Sequence, residues 1–488
     1  MKKNLVALAA LTSLMSLVGC GGSKQSETKV TIRYVNSWGQ KYQPKVDKLM
    51  EDFMAANPNI TVEKVVLGGY DGIHTQTVSD IDAANGEYGD LVICYPDHVV
   101  DYINYGVAVD LDDLMNDSKI GWTQAEKEDV IQAFLKEGQN FPIPGTYCLP
   151  YCKSTEALYY NKDVIIGLDL SSVNPNLNGG NKINKDYIDN LTWEEFFDVL
   201  CPAIDAYNNA LPADEKIIIP AEAGGLSGIC GYDSEANLFI NLCEQYGYGY
   251  TSVNSQSGKA SLDFNNDNVV SLLKKFNDAG KKNYLVPSSR KENNSYCSAF
   301  FTEQHFLFNI GSTAGVTHEV SSEFDVDVAP IPGAREGNKH VISQGPSLCI
   351  LAHPEDGKAV KQARIEAAWK FYKFLTNTKN SAVWATTVGY LPVRTSSLSE
   401  EVYIEYADAT GKPARSEELL VAKNAQYSTV ASSNVFTSPV FKGSSMARTV
   451  VGSVMANVLN HTSGLYTDAE IKALLNDAVN TIKIYMEE

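Results

Sequence analysis

Short runs of β-branched and aromatic residues alternate along this chain with segments whose apolar positions recur every three or four residues. Residues 30–35 have the strand pattern, and Pro44 then opens a helix that places Val46, Leu49, Met50 and Phe53 on one face, ended by AANPN. Further strands are predicted at 60–67, 90–94, 157–160, 305–310, 325–329 and 348–352. Beyond them the pattern turns helical: Ile365, Trp369, Tyr372 and Leu375 share one face, as do Ile471, Leu474, Ala478, Ile482 and Tyr485. These stripes read as core faces. Alternation of the two patterns predicts an α/β architecture rather than separate all-α and all-β blocks. Residues 171–190, rich in Asn and Gly, are expected to form a loop or insertion. In the LTWEEFFDVL that follows, Thr192 and Glu195 have capping-box spacing. Asp267 or Asn268 is expected to cap a helix carrying Val269, Leu272, Leu273 and Phe276.

The N-terminus departs from this pattern. Lys2 and Lys3 precede an apolar stretch over residues 5–18, which is shorter than the roughly 20 apolar residues a membrane span needs. It ends in Leu17, Val18, Gly19 and Cys20, the letters and position of a bacterial lipobox. The expectation is a lipoprotein signal peptide over residues 1–19 and a diacylglycerol on the Cys20 thiol. A polar tether over residues 20–28 would follow, holding the chain at the extracytoplasmic face of a cell membrane.

Size and charge narrow the picture. At 488 residues the chain exceeds the roughly 250–300 residues over which a single core keeps growing, so two lobes are expected. Its formal net charge is −19, more negative still without Lys2 and Lys3, which argues against nucleic-acid binding. Cys94 and Cys349 lie in strand-like apolar runs and read as small buried hydrophobes. An extended LPYC segment would hold Cys148 and Cys152 farther apart than the limit of about 7 Å for a disulfide. A Cys230–Cys243 bridge is left open.

No catalytic or metal signature survives inspection. The seven histidines form neither an HExxH pair nor a cluster with zinc spacing. Ser288 and Lys291 fit SxxK without its companion motifs. The run at 263–268 opens like a calcium loop, but Asn268 replaces the required glycine and Lys274 the bidentate glutamate. No cofactor, metal or catalytic residue is therefore expected.

Three segments carry a resemblance: LPYCKSTEALYYNKDVI at 149–165, AAWKFYKFLTNTKNSAVWATTVGYLPVR at 367–394, and MARTVVGSVMANVLN with the amphipathic helix after it. They resemble the carbohydrate-type extracellular solute-binding proteins, the family of the maltose receptor, and most closely its glycerol-3-phosphate-binding branch. GGYDGIHTQTV, SLDFNND and AFFTEQHFLFNIGS extend the likeness over nearly all of the chain after the tether. The resemblance implies a periplasmic-binding-protein-like fold: two discontinuous α/β lobes, 29–153 plus 312–347 and 154–311 plus 348–488. A hinge would be crossed near 151–155, 309–313 and 344–348, with a ligand cleft between the lobes. It also implies a monomer that closes on a small-molecule ligand and docks on the permease subunits of an ABC importer.

Position by position, the resemblance places Tyr70, Asp71, Ser154, Ser347 and Arg448 at the cleft or hinge, and Tyr232 where the glycerol-3-phosphate branch has a tryptophan. Trp38 and Asp97 join them because each lies just past a predicted strand end. Pro96 or Asp97 falls where that branch has a cleft glutamate, and Arg448 is the one cation placed in the cleft. A carbohydrate is therefore expected ahead of glycerol-3-phosphate or a glycerophosphodiester. A lipid-anchored hydrolase and a surface glycan adhesin are the competing classes.

Overall fold

The computed structural model describes residues 29–254, 256–291 and 296–487. The expected signal peptide, the lipidated Cys20 and the tether lie outside the described residues. Among the described residues, no helix is long and apolar enough to cross a membrane.

Two five-stranded sheets organise the chain. In the first, β1 (Val30–Asn36) runs parallel to its neighbours β2 (Ile60–Val66) and β3 (Leu91–Cys94), while β13 (Ser347–Ile350) lies antiparallel between β3 and the edge strand β4 (Leu149–Pro150). In the second, β5 (Glu156–Asn161) lies between β11 (Val326–Ala329) and β10 (Phe308–Ser312), antiparallel to both. The parallel strands β6 (Cys230–Tyr232) and β9 (Leu285–Pro287) complete it. Strands β7 (Thr251–Val253) and β8 (Ala260–Leu262) form a separate hairpin, and β12 (Val341–Ile342) pairs with β14 (Val435–Phe436).

Helices cover each sheet. The first lobe carries α1 (Gln43–Ala56), α2 (Gly69–Asp82), α3 (Pro96–Asn104) and the short α4 (Gln132–Glu137), and the second carries α5 (Glu235–Tyr246) and α6 (Asp267–Lys281). The chain then returns to the first lobe for α7 (Lys358–Leu375) and α8 (Thr378–Val388), and ends in the second with α9 (Glu417–Ala431), α10 (Ser444–Asn460) and α11 (Asp468–Glu487). In α1, Val46, Met50 and Phe53 are buried as the periodicity predicts. Phe53 and Tyr34 of β1 both pack on Phe371 of α7, with ring centroids 4.8 and 5.5 Å away. Each such side chain removed from water contributes about 1.5–3 kcal/mol.

In the second lobe α6 approaches α10 so closely that a Cβ on Gly280 would stand 2.4 Å from the Leu459 carbonyl oxygen. Only glycine permits that contact. The α11 stripe is rotated from expectation: Leu475 is buried rather than Leu474, and Tyr485 is exposed. Asn266, not Asp267 or Asn268, caps α6, its side chain accepting from the amides of Asn268 and Val269. Thr192 accepts from the Glu195 amide at 3.0 Å, while the Glu195 carboxylate accepts instead from Tyr187 Oη, so only half of the capping box forms. Within 171–190, Leu177, Ile183 and Ile188 are buried in the second-lobe core.

The strand pairing redraws the division of the chain. Residues 312–347, expected with the first lobe, contain β11, which belongs to the second sheet beside β5. Residues 348–388, expected with the second lobe, supply most of β13 and the helices α7 and α8, all packed in the first-lobe core. No crossing occurs at 309–313, because β10 and β11 lie in the same sheet. The crossings run through 151–155, through 343–346 and, after α8, through 389–400. They lie side by side: Ser154 exchanges backbone hydrogen bonds with Gln344 at 3.0 and 2.8 Å, and Lys153 does so with Leu391 at 3.1 and 2.6 Å. A resemblance built on local segments could not show this pairing, since it joins residues about 190 and 240 positions apart.

All eight described cysteines are buried and unbridged. The Cys230–Cys243 bridge left open by the sequence is not formed, and Cys148 and Cys152 are also free thiols.

Candidate interlobe binding cleft

The carboxyl ends of the parallel strands point into one space. After β3 the chain turns at Tyr95 into α3, whose first turn presents Pro96, Asp97 and His98. After β6 it turns at Asp233 into α5, and β10 ends in Gly311 and Ser312. Open sheets place ligands at such strand ends. Between them lies a cavity of about 820 Å³, toward the upper end of the roughly 300–1,000 Å³ common for small-molecule sites. The lobes approach across it: α10 touches α3, and the Val440 amide donates to the Asn140 carbonyl at 3.1 Å.

The wall combines aromatic faces with polar groups. Tyr95, Tyr250, Tyr296, Tyr390 and Phe441 supply the aromatics. Arg448 projects from α10 and donates to Asn237 Oδ1. Asn237 in turn donates to Glu156 Oε1 at 2.9 Å, and Tyr232 and Asn241 donate to Glu156 Oε2 at 2.8 and 2.7 Å. Burial pushes the Glu156 carboxyl up to about 7, against these donors and the nearby Arg448 charge. Glu319, hydrogen-bonded by Asn309, is held well above the usual carboxylate range by burial and by the neighbouring Asp233 charge. Asp233 is raised to about 6, chiefly by burial.

On the first-lobe side, burial raises the Glu137 carboxyl while an ion pair with fully buried Lys153 opposes the shift. Lys153 also donates to the Gly345 carbonyl at 3.0 Å and to Ser347 Oγ at 3.1 Å, tying the cleft wall to the hinge. His98 stands 3.2 Å from Asp71 and stacks on His74, and burial lowers its pKa. Its Nδ1, Ser343 Oγ and Ser444 Oγ are buried without a hydrogen-bond partner, and all three residues line the cavity.

Of the residues singled out from the sequence, Asp71, Asp97 and Arg448 line the cavity. The other five stand behind its wall. Tyr70 packs its ring against Tyr95 at 4.5 Å. Trp38 is enclosed by Tyr42, Tyr151, Trp384 and Tyr390. Tyr232 is fully buried with its hydroxyl on Glu156, so its ring is spent on the core rather than offered to a ligand. Ser154 and Ser347 are buried in the hinge.

The sequence reading missed Tyr95, Glu137, Glu156, Asp233, Tyr250 and Glu319. Glu156 left a signal, as the one charge at the head of the apolar run EALYY. Asp233, directly after the short strand CGY, left the same strand-end signal that pointed to Asp97.

Two α/β lobes, a three-segment connection and a polar, aromatic cleft between strand ends define a two-lobed solute-binding protein. The model of the bacterial extracellular solute-binding protein family matches residues 48–411, and the chain belongs to that family. The sn-glycerol-3-phosphate-binding periplasmic protein UgpB of Salmonella paratyphi A is 24% identical over 400 residues, covering 80% of this chain and 79% of that one. Among solved structures, UgpB from Mycobacterium tuberculosis in complex with glycerophosphocholine superposes with a TM-score of 0.65 at 17% identity, covering 94% of this chain and 98% of that one. The sugar-binding protein MalE from Xanthomonas citri gives 0.66 at 15% identity, with 93% and 97% covered. At these identities the structural likeness carries the fold.

Proposed function

We propose that this protein captures a carbohydrate in the interlobe cleft, closes on it by bending at the hinge, and delivers it to the permease of an ABC importer. In this reading the chain works at the outer face of the membrane as a monomer, held by lipid on Cys20, and performs no chemical step. The observation that carries the ligand class is the lining of the cleft. Tyrosine faces suit the C–H surfaces of a sugar ring, while Arg448, Asn237, Asp97 and the unpartnered Ser343 and Ser444 hydroxyls suit its hydroxyl groups. Among the described lining residues Arg448 is the only arginine or lysine, against six carboxyl groups. That balance disfavours a glycerol phosphate, whose charge calls for compensating cations.

The test is a thermal-shift screen of the protein starting at Gly21 against sugars and glycerol phosphates. Ligand at 100 times its dissociation constant adds about 2.7 kcal/mol. One carbohydrate class is expected to stabilise the protein, and Arg448→Ala to reduce the shift. Stabilisation by glycerol phosphates alone would reverse the ligand assignment. Consumption of the bound sugar, read by mass spectrometry, would favour a hydrolase, and a preference for polymeric glycans would favour an adhesin.

A further inference from the structure

Within that reading, we propose that the ligand carries a protonated amine, received in the cleft by Asp233 and Glu319 on either side of Gly311. A point one Cβ length from Gly311 stands 2.9 Å from Glu319 Oε1 and 3.5 Å from Asp233 Oδ2. Two carboxyl groups thus converge on one small region of the cavity wall. Among the described residues neither has an ion-pair partner, whereas Glu137, in the same cavity, is neutralised by Lys153. Their partners are neutral donors: the Cys297 amide to Asp233 at 2.6 Å, and Asn309 Nδ2 to both oxygens of Glu319 at 2.9 and 3.0 Å.

A second observation points to a ligand in the same cavity. Ser343, nine-tenths buried, lines it with an Oγ that has no partner in the protein. Such a hydroxyl is costly to bury unless something occupies the space in front of it. The raised carboxyl groups of Asp233 and Glu319 agree with this geometry, because a buried acid without a cation beside it resists ionising. An ammonium group would supply the missing charge and form two charge-assisted hydrogen bonds. Neutral sugars can fill the same volume, but they leave the pair uncompensated.

The proposal rests on the carbohydrate reading, and one titration series separates the two. Isothermal calorimetry is run with glucosamine and β-1,4-linked glucosamine oligomers, with their N-acetylated counterparts, and with glucose and gluco-oligosaccharides of equal length. The amine-bearing series is expected to bind at least tenfold tighter than either other series, and Asp233→Asn and Glu319→Gln each to bring the ratio near one. Glu319 is deeply buried, so the more accessible Asp233→Asn serves as the arm independent of folding. Equal or tighter binding of the N-acetylated or neutral series would overturn the amine assignment and leave the carbohydrate reading in place. An amine preference that both variants retain would remove Asp233 and Glu319 from the subsite. Absence of binding in all three series would overturn the amine assignment, and the thermal-shift screen then decides the carbohydrate reading separately.

Discussion

Glu156 shows how one side chain links stability to the site. Its ordinary value of 4.5 rises to about 7 through burial, so between those two values the folded chain holds a proton that the unfolded chain has released. Stability therefore falls as pH rises through that window, by on the order of 3 kcal/mol for this group. Glu156→Gln is expected to flatten the slope, measured as urea unfolding free energy at several pH values between 4.5 and 7.5. An unchanged slope would assign the pH dependence to other groups, Asp233 among them. Tyr232→Phe removes the hydroxyl that donates to the same carboxyl and is expected to cost about 1–3 kcal/mol. The urea midpoint reports it.

At the scale of elements, the hinge is a ribbon of three crossing segments joined by backbone hydrogen bonds. Gly345 sits in it at φ 91°, and a Cβ there would stand 2.6 Å from the Cys152 carbonyl oxygen and 3.0 Å from Lys153 Cα. Both neighbours are backbone and cannot swing aside. Gly345→Ala is expected to cost about 1–3 kcal/mol, seen as a lower Tm. Lys153→Met leaves Glu137 buried without its cation and is expected to cost about 3–5 kcal/mol. Adding Glu137→Gln should recover part of that loss, and a double variant no better than the single one would show that the ion pair is not the source.

The elements themselves were legible from sequence because their signals are local. Period-3.6 spacing in α1 and α7, and the β-branched runs of β1 and β2, need only neighbours in the chain. The lobe assignment of 312–388 was not legible, because it depends on which distant strand β11 and β13 join. The site divides in the same way. Asp97 follows a strand, and Arg448 lies in a segment of strong resemblance. Glu319 is brought to the cavity from a loop between strands, with no local mark beyond a charge in a polar stretch.

For the whole molecule, eight buried and unbridged thiols mean that no described cross-link supports the fold. Dithiothreitol is expected to leave the Tm unchanged, and iodoacetamide to label these cysteines only after denaturation. A Tm lowered by reductant would reveal a bridge. Stability rests instead on the two lobe cores and on the hinge between them.

The place of β13 between β3 and β4 has a consequence for how the molecule is made. As the chain leaves the ribosome, the first lobe is begun first and finished late, since β13, the strand that joins β3 to β4, emerges about 200 residues after β4. By then all five strands of the second sheet have been synthesised. The lobe at the amino end must therefore wait, with the edges of β3 and β4 unpaired and open to non-native partners. A chain cut before residue 347 would hold a complete second sheet and an unfinished first one, and would be a ready target for proteases.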